Sequence, residues 1–301
     1  MERAGEVPGV RHRRLRGDGI ELHAVEAGEG PPVLLLHGFP EFWHGWRRQL
    51  PALAAAGFRA LAPDQRGYNS SEKPEGVEAY RLDRLVADVA ALIEGEAGGA
   101  ARLVGHDWGG AVAWATAIRR PELVERLAVL NAPHPAAYRR AVRRPRQLLR
   151  SWYVLFFQLP ALPEAAIRAL DYAALDWIFR STARPGAFDD GDVAACKAAL
   201  DRPGALEAAL NWYRANLPPD GEPGGGEGPD RERARAGRVE APTLVLWGER
   251  DPWLGVELLD GLDRWVPDLQ VERRPDAGHW LAAEAPGWVN RRLVDFLGGD
   301  A

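Results

Sequence analysis

Short continuous apolar runs alternate along the chain with stretches in which apolar residues recur every three or four positions. Val33-Leu34-Leu35-Leu36 is such a run, and 58–63, 102–104 and 127–130 carry others. A continuous apolar run predicts a strand buried on both faces, as in a parallel sheet. Residues 13–16 and 20–26 flank Gly17-Asp18-Gly19 and predict a hairpin. Residues 43–56 and 111–119 read as helices, the latter ended by Pro121. In 82–93, Leu82, Leu85, Val86, Val89, Leu92 and Ile93 keep helical spacing. This alternation predicts a doubly wound, mostly parallel sheet with antiparallel N-terminal strands.

The rhythm stops near 133. From there to 217 the pattern is helical: 150–157 is aromatic-rich, 163–179 is amphipathic, and 191–200 and 205–215 follow. The Gly- and Pro-rich run 218–230 reads as a flexible loop. Strand–helix alternation resumes with a strand at 243–247, a helix at 253–265, a strand at 269–273 and a final helix at 286–297. The expected organisation is a sheet domain from 1–132, an inserted all-helical cap from 133–236, and a return to the sheet domain from 237–301.

Composition changes this picture little. The 301 residues are 46% hydrophobic and 27% charged, which excludes disorder of the whole chain. A net charge of -5 gives no long-range attraction to nucleic acid. The basic cluster Arg11, His12, Arg13, Arg14 and Arg16 is expected to be a solvated hairpin arm. No run approaches a membrane span, and 1–16 has no apolar core of a secretory signal, so no membrane partner is expected. Cys196, the single cysteine, excludes a disulfide framework within the chain. It suits a reducing compartment, and the expected location is cytoplasmic. No metal site or cofactor is expected.

Gly105-His106-Asp107-Trp108-Gly109 has the glycine spacing of a nucleophile elbow. The glycines permit a tight strand-to-helix turn that lifts the central side chain, here Asp107, above the sheet. A helix cap would also suit Asp107, but three other segments fall into place with it. Asp251 follows the strand at 243–247, His279 follows the last strand, and the order nucleophile, acid, histidine is that of α/β-hydrolases. His37-Gly38-Phe39-Pro40 follows the strand 32–37, so the Phe39 backbone N–H, with that of Trp108, could form an oxyanion hole. Serine occurs only at 70, 71, 151 and 181, none of them at an elbow, so a serine esterase is excluded.

These motifs resemble the α/β-hydrolase superfamily and, within it, the epoxide hydrolases. The resemblance covers nearly the whole chain. It rests on 37–41, Asp64-Gln65-Arg66-Gly67-Tyr68, Gly105 to Gly110, Asn211-Trp212-Tyr213-Arg214, Gly248 to Asp251 and Gly278-His279-Trp280. Asn69 stands where a glycine-type residue is usual, and asparagine tolerates positive φ.

A carboxylate needs no base to attack at neutral pH, and it suits displacement at a saturated carbon. The product is an ester on Asp107. His279 would activate the water that hydrolyses it, and Asp251 would orient the imidazole. The reactive group is then a halide or an epoxide. Opening an epoxide creates an alkoxide that needs a proton, which a phenol can give. Tyr153 and Tyr213 match the cap tyrosines of epoxide hydrolases, so the resemblance implies conversion of an epoxide and water to a vicinal diol.

A dehalogenase using the same aspartate is the alternative, and a non-catalytic small-molecule binder on the same fold is a second. Trp108, Phe156, Phe157 and Trp280 are candidate pocket residues. Glu249 is a weaker rival to Asp251. His106 is expected to pack beneath the elbow, His37 to brace the oxyanion loop, and Asp64 to pair with Arg66. His12, His23, His44 and His134 show no partner pattern. Oligomeric state is not legible.

Overall fold

The residues described by the computed structural model, 7, 9–216 and 237–299, build an eight-stranded sheet. Its strands are β1 (Arg11–Arg16), β2 (Glu21–Ala27), β3 (Pro32–Leu36), β4 (Arg59–Pro63), β5 (Ala101–His106), β6 (Val124–Leu130), β7 (Thr243–Gly248) and β8 (Leu269–Arg274). They lie in the order β1-β2-β4-β3-β5-β6-β7-β8. β1 and β2 pair antiparallel, as do β2 and β4, and the rest is parallel. Leu34 pairs with Leu61 on one side and Leu103 on the other, and all three are buried. This is why β3 reads as an unbroken apolar run.

The helices α1 (Leu50–Ala55), α2 (Leu82–Ala97) and α3 (Trp108–Arg119) connect the first strands. Between β6 and β7 lie α4 (Pro135–Ala141), α5 (Pro145–Arg150), α6 (Trp152–Phe157), α7 (Leu162–Thr182), α8 (Asp190–Leu200) and α9 (Ala205–Asn216), with no strand among the described residues. The expected loop at 218–230 falls outside the described residues. After β8 come α10 (Leu281–Glu284) and α11 (Pro286–Gly298).

Three segments depart from the sequence reading. The helix expected at 43–56 is a 3-10 turn, Trp43–Trp46, followed by the separate α1, which begins with Pro51 in its first turn. The segment 253–265 forms only two 3-10 turns, Val256–Leu259 and Leu262–Arg264. Pro252, Gly255 and Gly261 break its apolar spacing, and Gly261 takes φ 69°. Within α7 the helix is interrupted at 169–172, where Leu170, Asp171 and Tyr172 have positive φ.

Two electrostatic expectations also change. Arg66 pairs with Asp88 at 2.7 Å rather than with Asp64. Asp64 instead accepts from Trp43 N and Asn69 Nδ2 and meets His23 Nδ1 at 2.6 Å. The basic arm of β1 is not simply solvated: Arg11 and Arg13 both reach Glu26, and Arg13 also reaches Glu96. Asn69 takes φ 41°, the conformation asparagine tolerates.

Because β3, β5, β6, β7 and β8 run parallel, the loops after them emerge at one edge of the sheet. That edge is where open α/β sheets place ligands. The segments carrying Phe39, Asp107, Asn131, Asp251 and His279 follow those five strands in turn.

Candidate active site

Asp107 sits at the turn from β5 into α3 with φ 50° and ψ -121°. For a residue with a Cβ this costs roughly 1–3 kcal/mol, and close packing of glycines around the turn holds it in place. A Cβ on Gly109 would stand 2.1 Å from the Leu36 carbonyl oxygen, and one on Gly38 would stand 2.4 Å from Asp107 Cβ. Gly109 thus lets backbone meet backbone, and Gly38 leaves room for the Asp107 side chain itself.

The Asp107 carboxylate is held asymmetrically. Phe39 N donates to Oδ2 at 3.0 Å. Oδ1 faces His279 Nε2 at 3.7 Å, beyond a direct hydrogen bond. The far side of the imidazole is fixed, with Nδ1 2.7 Å from Asp251 Oδ2. Asp251 Oδ1 accepts from Trp253 N and Leu254 N at 2.8 and 2.9 Å. Both Asp251 oxygens are thus engaged, and His279 Nε2 is left turned toward Asp107. Glu249 lies apart and pairs with Arg273.

Above this group is a cavity of about 260 Å³ between the sheet domain and the helical insertion. Asp107, His279, Phe39 and Trp280 line one side, and Tyr153, Phe156, Phe157 and Tyr213 line the other. Trp108 stands behind this lining, edge-on to Tyr213 at 5.1 Å and to Trp212 at 5.8 Å. Its backbone N–H heads α3, where helix geometry leaves first-turn donors free of intrahelical acceptors. Among the described residues, no three His, Cys, Asp or Glu side chains are grouped to hold a metal ion.

Residues 31–286 match the family described as alpha/beta hydrolase fold. The chain is 41% identical to the AB hydrolase superfamily protein YfhM of Bacillus subtilis, over 96% of this chain and 98% of that one. It is 36% identical to Epoxide hydrolase 4 of Mus musculus, over 94% of this chain and 78% of that one. The crystal structure of Bacillus megaterium epoxide hydrolase in complex with an inhibitor superposes with a TM-score of 0.86 at 31% identity, covering 95% of this chain and 100% of that one. The chain belongs to the epoxide hydrolases of the alpha/beta hydrolase family.

In this family member, three supporting residues had escaped the sequence reading. Asn131, with φ 39°, donates to Asp251 Oδ2 at 2.8 Å and accepts from Gly248 N at 2.9 Å. It ties the end of β6 to the acid loop. Glu284 accepts from Gly278 N and Trp280 N, the residues on either side of His279. Glu41 Oε2 lies 3.4 Å from His106 Nδ1, and His106 Nε2 meets the His279 carbonyl oxygen at 2.9 Å. His106 thus packs beneath the histidine loop as well as the elbow. His37 Nδ1 meets Gly38 O at 3.0 Å and its Nε2 accepts from Gln65 N, which braces the Phe39 loop.

Burial acts on the imidazole and on both cap phenols. It would lower His279, but Asp251, Asp107 and Glu41 outweigh it and raise the imidazole from 6.5 to about 9. Burial pushes the Tyr213 phenol well above its usual range, aided by Asp107 and Tyr153, with Trp108 acting the other way. Tyr153 is pushed up likewise, by burial and then by Tyr138, Asp107 and Asp251. Both phenols therefore hold their protons firmly until negative charge develops beside them. Burial also raises the Cys196 thiol, as expected of an inert cysteine.

The raised imidazole makes a testable prediction. Below pH 6.5 the charged His279 stabilises the fold fully, and this contribution is lost as pH rises through about 9. Asp107→Asn removes one of the raising charges. The His279 ring signals in NMR should then titrate at lower pH than in the parent protein. An unchanged titration would mean that Asp107 does not act on this histidine.

Proposed function

We propose that the chain converts an epoxide to a vicinal diol through a covalent ester on Asp107. The observation that carries this reading is the placement of the Tyr153 and Tyr213 phenols in one cavity with the Asp107 carboxyl group. Tyr153 and Tyr213 donate hydrogen bonds to the epoxide oxygen. Asp107 Oδ1, the oxygen not engaged by Phe39, attacks a ring carbon. The Oδ1–carbon bond forms as the ring C–O bond breaks, and the electron pair leaves with the ring oxygen, which takes a tyrosine proton.

Ester formation removes the Asp107 charge, and with it part of what raises His279. The imidazole then releases its proton more readily and can serve as a base. Its Nε2 takes a proton from a water that attacks the ester carbonyl carbon. The charge that develops on Oδ2 meets the Phe39 N–H already aimed at it, and the Trp108 N–H at the head of α3 would be the second donor. One such donor is typically worth about 3 kcal/mol. Asp251 stabilises the imidazolium. As the intermediate collapses, the C–O bond to the diol oxygen breaks and that oxygen takes the second proton of the attacking water, which regenerates the Asp107 carboxylate. The imidazolium proton returns to the tyrosinate. No cofactor takes part. The helical insertion acts as a cap that supplies the acids and most of the apolar wall.

A dehalogenase would need free N–H donors for the departing halide. The Trp108 ring stands behind the lining, which weighs against that role. The purified chain should form diol from styrene oxide and release no halide from bromo- or chloroalkanes. Halide release without diol would reverse the assignment, and ligand binding without turnover of either kind would favour the non-catalytic binder.

A further inference from the structure

The cap carries a surface that the reaction does not use. From 126 to 163 the chain has no acidic residue, although its net charge is -5. Arg139, Arg140, Arg143, Arg144, Arg146 and Arg150 fall within twelve positions of that stretch. Arg140 is turned onto Trp265, and Arg150 lies 3.8 Å from Glu257. Arg143, Arg144 and Arg146 are exposed.

The helices α5 and α6 follow at once, separated only by Ser151. Leu148 and Leu149 of α5, Trp152 and Leu155 of α6 and Leu159 just beyond it are exposed apolar side chains. Leu149 is 73% exposed, Trp152 63% and Leu155 56%. Trp152 and Trp177 both line the cavity, yet Trp177 is also 65% exposed, so the two indoles stand at its rim. Exposed arginines, exposed leucines and a tryptophan of the pocket rim thus succeed one another between 143 and 159 of the cap.

We propose that this side of the cap docks on an anionic lipid surface, with the mouth of the cavity against it. Arginines answer the negative headgroups, leucines enter the acyl boundary, and tryptophans suit the interface between them. Two weak signals acting together are what stable peripheral attachment requires. No helix among the described residues is long and apolar enough to cross a membrane, so the contact is peripheral. The expectation of no membrane partner considered only a span; the exposure of these leucines is visible only in the fold. The docking itself does not rest on the proposed reaction. If both hold, an apolar epoxide dissolved in the bilayer reaches the cavity without crossing water.

The test is co-sedimentation of the full chain with phosphatidylcholine vesicles, with and without phosphatidylserine, at low salt and at about 0.5 M salt. Binding should require phosphatidylserine and weaken by at least about tenfold at the higher salt. Arg143→Glu with Arg146→Glu should weaken it similarly, and Leu149→Glu with Leu155→Glu should abolish it. All four positions are exposed, so thermal unfolding should be unchanged in both variants. Absence of phosphatidylserine-dependent binding, or full binding by both variants, would overturn the proposal. So would a dimer in sedimentation velocity that Leu149→Glu with Leu155→Glu dissociates while the parent ignores vesicles, because the face would then belong to a second copy.

Discussion

His279→Gln should consume one equivalent of epoxide and then stall with the substrate attached to Asp107. The attacking oxygen, Oδ1, is 3.7 Å from His279 and hydrogen-bonds neither to it nor to Phe39. Ester formation can therefore proceed without the imidazole, whereas ester hydrolysis cannot. General-base assistance is typically worth 10²- to 10⁴-fold, so steady turnover should fall by about 10³-fold. Intact-protein mass should rise by the mass of the epoxide, and peptide mapping should place the increment on Asp107. Glutamine retains a polar side chain in the buried His279 site, which limits disturbance of the fold. A variant that turns over normally and never carries the added mass contradicts the role of His279 as base.

Tyr153→Phe combined with Tyr213→Phe should block the step before the ester. Both phenols line the cavity, with ring centroids 6.1 Å apart, and both are pushed to hold their protons. Losing both leaves the ring oxygen to depart as a bare alkoxide in an apolar cavity, which is strongly unfavourable. Ring opening should slow by about 10³-fold or more, while each single variant keeps part of the rate. Introducing the pair into the His279→Gln protein orders the steps, because no mass increment should then accumulate. Phenylalanine preserves the aromatic packing around Phe39 and Phe157, so thermal unfolding should change little. An adduct that forms as fast as before would show that the proton comes from elsewhere.

The sheet was legible because its inner strands are buried on both faces. Strands such as β3 and β7 have nowhere to place a polar side chain and announce themselves as continuous apolar runs. The tight turn at Asp107 was legible for a steric reason, since glycine is required where Gly109 meets the Leu36 carbonyl. Helices were read less well. In 43–56 and 253–265 apolar spacing continued through residues whose backbones end or prevent a helix, and the structure resolves the conflict in favour of proline and glycine.

The supporting polar residues were illegible for another reason. Asn131 and Asp251 are 120 positions apart, as the 2.8 Å contact between them records, and neither carries a local pattern naming the other. Glu41 and His106 meet only because β3 and β5 are neighbours in the sheet. Local spacing even misled at Asp64 and Arg66, which turn to opposite partners. The exposure of Leu148, Trp152 and Leu155 is likewise visible only in the fold.

The central claim is that Asp107 bonds to substrate carbon through its own oxygen. A single turnover in water enriched in ¹⁸O, with enzyme in excess of epoxide, examines that bond directly. The account predicts diol whose new hydroxyl carries ordinary oxygen, with the heavy isotope incorporated into the Asp107 carboxylate. Heavy oxygen in the first diol, with none in Asp107, would mean that water attacked the epoxide directly.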